Sequence, residues 1–155
     1  MILEYAQLLS TAHRVLDGNV SIGVSASGRK RTSYILDSAS DGILYSATHI
    51  NHPSSVWVRQ SHLNYYWLYD MWVHLMVEYT YRYDKFHATG RLIDALRDAP
   101  RNIPIGVFTE PTPAMPDDVK VPGDSIASYR KYYIQNKPHL ANWKKRPVPE
   151  WYLTI

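Results

Sequence analysis

The chain has no cysteine among its 155 residues. That excludes disulfides and thiolate metal sites, and it fits a reducing compartment. Glycine is scarce, at 7 residues, and none of them builds a phosphate-cradling loop. No serine stands in a nucleophile-elbow context. No apolar run approaches the roughly 20 residues of a membrane span, so no membrane partner is expected, and no secretory leader either. His49-x-x-His52 is the one close histidine pair. With no third ligand at a suitable spacing, no metal is expected. These histidines read as loop residues that cap helices or bond backbone carbonyls. No other cofactor is implied.

Aromatic residues are abundant, with 13 tyrosines and 5 tryptophans. Tyrosine suits surfaces that are half apolar and half hydrogen-bonding. Apolar residues make up 45% of the chain, which at this length is enough for one domain, residues 1–155, with a real core. The net charge is +3 and the pI about 9.0, a mild basic bias. The bases cluster at Arg29–Lys30–Arg31, Arg130–Lys131 and Lys144–Lys145–Arg146. Interleaved with Tyr and Trp, such clusters point modestly toward phosphate contact.

The stretch from His52 to Lys85 dominates the pattern. It contains no glycine, and its only proline lies at its start, where a helix accepts one. Asn51 is placed to cap it. The length predicts one long helix, or two end to end. Leu63, Trp67, Met71, His74 and Val77 follow a helical stripe, so Leu63, Trp67 and Met71 are expected in the core. An aromatic helix of this kind suits the centre of a helical domain, and Tyr and Arg on its outer face also suit bases and phosphates.

Elsewhere, Met1 to Gly18 has the apolar spacing of an amphipathic helix that Gly18 ends. Val20 to Leu36 alternates around a Gly-Arg-Lys-Arg tip and predicts a β-hairpin. Ile43 to Thr48 predicts a helical turn. Thr89 is placed to cap a short helix that Pro100 ends. Residues 100–123 hold six of the ten prolines and predict an extended wrapping segment, anchored by Ile103, Ile105, Val107 and Phe108. Asp124 or Ser125 would cap a further helix, Pro138 would start a short one through Trp143, and an extended aromatic tail follows. The expected fold is mainly α: a single helical domain with one long central aromatic helix and a small β-hairpin insertion.

Two carboxylates fall near aromatic helices. Glu78 has Arg82 four residues on, a structural ion pair. Glu4 lies beside the apolar stripe of the first helix, near Gln7 and Thr11, and the sequence leaves its role open.

The motifs MILEYAQLLSTAHRVLDG, THINHPSSVWVRQSHLNYYWL, EYTYRYDKFH, AMPDD, YRKYY and RPVPEWY resemble a family of uncharacterised tailed-bacteriophage proteins along essentially the whole chain. In that family a segment of the type Asp-Lys-His-Val-Val-Lys runs directly into Met-Ile-Leu-Glu. More remotely, an Asp-x-His followed by a Glu on one helix is similar to the phage pyrimidine-dimer DNA glycosylases. Those are small, basic, helical glycosylase/AP-lyases whose N-terminal amine attacks the sugar C1′. The Val20–Leu36 hairpin and the long proline-rich segment depart from them.

The resemblance implies a DNA partner, the cytoplasm of an infected bacterial host, and Glu4 as the acid/base group. Arg14, Arg59, Arg82 and Lys85 would hold the DNA backbone, together with Arg29, Lys30, Arg31, Lys144, Lys145 and Arg146. Tyr65, Trp67 and Trp151 would stack on bases. It also implies that the amine nucleophile belongs to a segment ahead of Met1, so that the present chain shows little glycosylase or lyase activity. Two rivals are a non-catalytic phage protein that binds a host or virion partner, and an enzyme of DNA-base hypermodification.

Overall fold

The computed structural model describes residues 1–153. Its elements in chain order are α1 (Ile2–Asp17), β1 (Asn19–Val24), β2 (Lys30–Ile35), α2 (Pro53–Gln60), α3 (His62–Tyr83), α4 (Ile93–Leu96), α5 (Ser125–Asn136) and α6 (Glu150–Leu153). The fold is mainly α with a small antiparallel hairpin. Among the described residues no helix is long and apolar enough to cross a membrane.

α1 buries Ala6, Leu9 and Ala12, the i, i+3, i+6 positions of its apolar face. They meet Trp57 and Val58 of α2, Tyr65, Leu68, Trp72 and Met76 of α3, and Leu92 and Leu96. Gly18 ends α1, as its position predicts, but through space rather than a left-handed turn. Its φ is −85°, and a Cβ there would stand 2.4 Å from the Arg14 carbonyl oxygen. The hairpin follows in the register Asn19↔Ile35 to Val24↔Lys30. A 3-10 turn at Ala39–Gly42 replaces the helical turn expected over Ile43–Thr48.

The long aromatic stretch is two helices. The break is Ser61, at φ −154° and ψ 155°. Its Oγ accepts from the Asn64 N–H at 3.2 Å and donates to the Val107 carbonyl at 2.9 Å, while the His62 N–H donates to the Pro104 carbonyl. The cap of α2 is His52, not Asn51: His52 Nδ1 accepts from the Ser54 N–H at 3.2 Å. The expected core stripe is displaced. Leu63, Trp67, Met71 and Val77 are exposed, and the buried positions are Asn64, Tyr65, Leu68, Trp72 and Met76. A helix that is apolar on most sides carries no periodicity that selects its inner face. Partners outside the helix select it.

The chief of those partners is the proline-rich segment. It is extended, as expected, but its anchors are polar. Ile105, Val107 and Phe108 are exposed, and only Ile103 of the expected four is buried. The fully buried Asn64 side chain does the holding. Its Oδ1 accepts from the Thr109 N–H at 2.9 Å, and its Nδ2 donates to the Trp57 carbonyl and to Thr109 Oγ1. Trp57 Nε1 adds a bond to the Thr109 carbonyl. Gly106 passes so close to the break that a Cβ on it would lie 3.3 Å from Ser61 Cβ.

Three further expectations are corrected. The short helix before Pro100 is capped by His87, which accepts from the Thr89 N–H. Thr89 itself is buried within the turn. Pro138 starts only a 3-10 turn, Pro138–Leu140, and the tail closes with the helical turn α6 rather than an extended strand. Asp124 caps α5, accepting from the Ala127 N–H at 2.8 Å.

Arg14 ties α1 to the base of the hairpin and the turn after it. Nε donates to the Tyr45 carbonyl, Nη1 to the Tyr34 carbonyl and Asp41 Oδ1, and Nη2 to the Asp41 and Leu44 carbonyls. Every donor of the guanidinium is used. Arg14→Ala should therefore cost about 3–5 kcal/mol, measured by denaturant unfolding. A loss below about 1 kcal/mol would place Arg14 with surface ion pairs instead.

Candidate functional site

A groove runs along the N-terminal half of α1. One lobe, about 540 Å³, is lined by Glu4, Tyr5, Gln7 and Leu8 of α1, by Thr48, His49, His52 and Ser54, and by Tyr129, Tyr132 and Tyr133 of α5. A second lobe, about 350 Å³, shares Tyr5, Leu8, Tyr129 and Tyr133, and adds Trp57, Trp67, Met71, Arg130 and Trp151. The two lobes share these walls and adjoin, and both are largely apolar.

Local chemistry sets each wall. Tyr129, Tyr132 and Tyr133 lie at i, i+3 and i+4 on α5, the spacing that puts side chains on one helix face. Thr11 of α1 pins the opposite loop: its hydroxyl donates to the Thr48 carbonyl and accepts from the Thr48 N–H. The next residue, His49, takes a left-handed φ of 48°, a conformation a non-glycine residue holds only where its surroundings enforce it. Its Nδ1 meets Thr48 Oγ1 at 2.8 Å.

The groove is rich in protonated phenols. Burial, with a smaller contribution from Tyr129, Tyr133 and Glu4, pushes Tyr5 up to about 12. Burial also raises Tyr129 and Tyr133. These hydroxyls are donors at neutral pH, and Glu4 is the one carboxylate of the lining. The Glu4 side chain is 70% exposed, and Oε2 lies 3.2 Å from the Met1 amino group. Among the described residues no three His, Asp or Glu side chains are grouped so that they could hold a metal ion.

The residues singled out from the sequence divide sharply. Glu4 lines the first lobe of this groove, and Trp67 and Trp151 line the second. Trp67 stands edge-on to Trp57 at 5.8 Å, and the Arg130 guanidinium lies 5.5 Å from the Trp151 ring centroid. Tyr65 does not join them: it is fully buried, with its hydroxyl donated to the Leu96 carbonyl and 2.8 Å from His13 Nε2, so no face is left for a base. Arg14 is spent as described above. Arg59 donates to Ser55 Oγ and the Ile50 carbonyl.

Glu78 collects two of the other bases, Arg82 and Arg146. Arg82 Nε reaches its Oε1 at 2.7 Å, the ion pair the spacing predicts, and Arg146 binds both carboxylate oxygens at 3.1 and 2.8 Å. Lys145 pairs with Asp84 at 2.6 Å, and Lys144 lies 4.8 Å from the Tyr83 ring. Lys85 is exposed. Arg29, Lys30 and Arg31 are exposed on the hairpin, and among the described residues no carboxylate pairs with them. The α5 tyrosines went unassigned from sequence, although the i, i+3, i+4 spacing of Tyr129, Tyr132 and Tyr133 is the signal that finds them, and Arg130 entered only as part of a basic cluster.

No family model, curated protein or solved structure matches the chain.

The Glu78 cluster has a pH signature. Hydrogen bonds from Arg146 and Arg82 bring its carboxyl down from 4.5 to about 2. A depressed carboxyl stabilises the folded form above its unfolded value and loses that contribution as pH falls through the folded one. The clasp of residues 142–146 on α3 should thus hold above pH 4.5 and open toward pH 2. Glu78→Gln should open it at neutral pH and speed trypsin cleavage after Lys144 or Lys145 several-fold. Unchanged cleavage would mean that the clasp does not depend on Glu78.

Proposed function

We propose that this protein binds DNA and receives an extruded nucleotide in the groove beside α1, in the manner of the pyrimidine-dimer glycosylases it resembles, within the cytoplasm of an infected bacterial cell. The carrying observation is a single carboxylate, Glu4, at the edge of a lobe of about 540 Å³ walled by Tyr5, Tyr129, Tyr132 and Tyr133. An enzyme that acts on a base in duplex DNA must take it out of the stack and hold it between aromatic or apolar side chains. Trp67 and Trp151 in the adjoining lobe supply further ring faces. In glycosylase chemistry the C1′–N bond breaks as an amine forms its bond to C1′, and the base leaves with the bonding pair and takes up a proton. In this reading Glu4 moves protons on the sugar in that sequence. Damaged or modified bases are the substrates this reading favours, because their weakened pairing lowers the cost of extrusion.

A second reading is a binding protein without catalysis. It is favoured by the internal commitment of Arg14, Arg59, Arg82, Lys145 and Arg146, which leaves few bases for phosphates near the groove.

Two measurements separate the readings. The chain should bind abasic or dimer-containing duplex more tightly than intact duplex, and Trp67→Ala or Trp151→Ala should each weaken that binding by about 1–3 kcal/mol. Borohydride trapping should be tried with and without the Asp-Lys-His-Val-Val-Lys segment ahead of Met1, and Glu4→Gln should abolish it while leaving binding largely intact. DNA affinity without trapping in either form would favour the non-catalytic protein. Equal affinity for damaged and intact duplex, unchanged by either tryptophan substitution, would remove the nucleotide pocket.

A further inference from the structure

We propose that the β1–β2 hairpin is a DNA-binding arm that lies as a two-stranded ribbon in a groove of the duplex. This rests on the DNA reading above and assigns the backbone contact to a different part of the molecule from the nucleotide groove.

The hairpin stands away from the body. All six residues of β1 are exposed, as are Lys30, Arg31 and Thr32 of β2. It is tethered at its base, where the Tyr34 carbonyl accepts from Arg14 and Leu36 enters the core. Its register places Val20, Ile22 and Val24 opposite Tyr34, Thr32 and Lys30 on one face. The three aliphatic side chains are 61%, 64% and 74% exposed. An apolar ribbon face left in water, in a chain with a well-filled core, calls for a surface to cover it.

Charge selects that surface. From Asn19 to Ile35 there is no acidic residue, while Arg29, Lys30 and Arg31 sit together at the tip. The equally basic run at Lys144–Arg146 is clasped to Glu78 and Asp84, whereas the hairpin bases meet no carboxylate among the described residues. The tip is also ordered. The Ser25 N–H donates to the Arg29 carbonyl, the Gly28 N–H to the Ser25 carbonyl and the Arg29 N–H to Ser25 Oγ, with Gly28 at φ 78°. The cations are therefore held at a defined end of a stiff ribbon.

The major groove of B-DNA admits a two-stranded β-ribbon, and aliphatic side chains or the Thr32 methyl suit thymine methyl groups there. Cations at the ribbon end reach phosphates on the groove wall. A bilayer fits less well. The open ribbon would carry unpaired backbone N–H and C=O groups into hydrocarbon, and the tip residues Ser25, Ala26, Ser27 and Gly28 include no aromatic anchor.

The test measures duplex affinity of the full chain between about 50 and 200 mM salt. The wild type is compared with the triple variant Arg29→Ser, Lys30→Ser, Arg31→Ser, and with Ile22→Ser, each checked for unchanged circular dichroism. The triple variant should lose at least tenfold in affinity, and the slope of log affinity against log salt should flatten by about 2–3, near 0.9 per lost phosphate contact. Ile22→Ser should weaken binding with the slope preserved. If the wild type binds DNA and the triple variant keeps both affinity and slope, the arm is refuted while the groove reading stands. If the wild type binds no DNA, the DNA reading itself fails and takes the arm with it. Hairpin-dependent binding to phosphatidylserine vesicles without DNA affinity, or a dimer that Ile22→Ser dissociates, would assign the face to a membrane or to a second copy and overturn the proposal.

Discussion

The guanidinium of Arg14 is buried at a point where four stretches of chain converge without secondary structure to join them. α1 is leaving, the hairpin is returning, and the 3-10 turn and the segment at Leu44–Tyr45 pass behind. α1 supplies the cation and the other three bring carbonyl groups, and the five donors of the guanidinium answer these and the Asp41 carboxylate at once. The Asp41 carboxylate balances the charge and accepts from the Leu36 N–H as well. That backbone bond, with Arg14 beside it, holds the Asp41 carboxyl below its usual range. Because Gly18 packs against the Arg14 carbonyl, the end of the helix and the position of the cation are fixed together. The exit direction of the hairpin follows from both.

Asn64 performs the corresponding task for the second half. A proline-rich segment makes few backbone bonds of its own, so it needs partners on the surface it crosses. The side-chain amide of Asn64, fully buried at the start of α3, offers one acceptor and two donors and uses all three. The break at Ser61 makes room for this crossing. It also rotates α3 so that Tyr65, Leu68, Trp72 and Met76 face inward. Trp67 and Met71 are left to line the groove. The shape of the candidate site is thus a consequence of how the wrap is pinned.

This explains which parts of the molecule were legible in the sequence. The helix up to Gly18, the hairpin with its tip, the Asp124 cap and the Glu78–Arg82 pair each depend on residues near one another in the chain, and local spacing reveals them. The inner face of α3, the role of Arg14 and the polar anchoring of residues 104–109 depend on groups dozens of residues apart. Arg14 reads on sequence as one more surface base. Only the carbonyls of Tyr34, Leu44 and Tyr45, brought together by the fold, make it a structural cation. Of the candidate site, Glu4, Trp67 and Trp151 were picked out separately. Tyr129, Tyr132 and Tyr133, which complete the wall, were visible only as a tyrosine-rich motif.

The two basic runs show why composition alone is a poor guide to a polyanion site. Arg29–Lys30–Arg31 and Lys144–Lys145–Arg146 have the same charge. The second is drawn onto the end of α3, where Glu78 and Asp84 stand on the last turns, and its chain is held further by the bond from Tyr81 Oη to the Lys145 carbonyl. That clasp leads directly into the segment carrying Trp151, so its charge is spent on holding a wall of the groove rather than on a partner. The first run has no acidic neighbour within its hairpin and no packed surface beneath it. Its field is directed outward over water, where a polyanion gains most by displacing counterions. Runs of equal charge are held against the body in one place and left in water in the other, and the carboxylates supplied by the fold decide which.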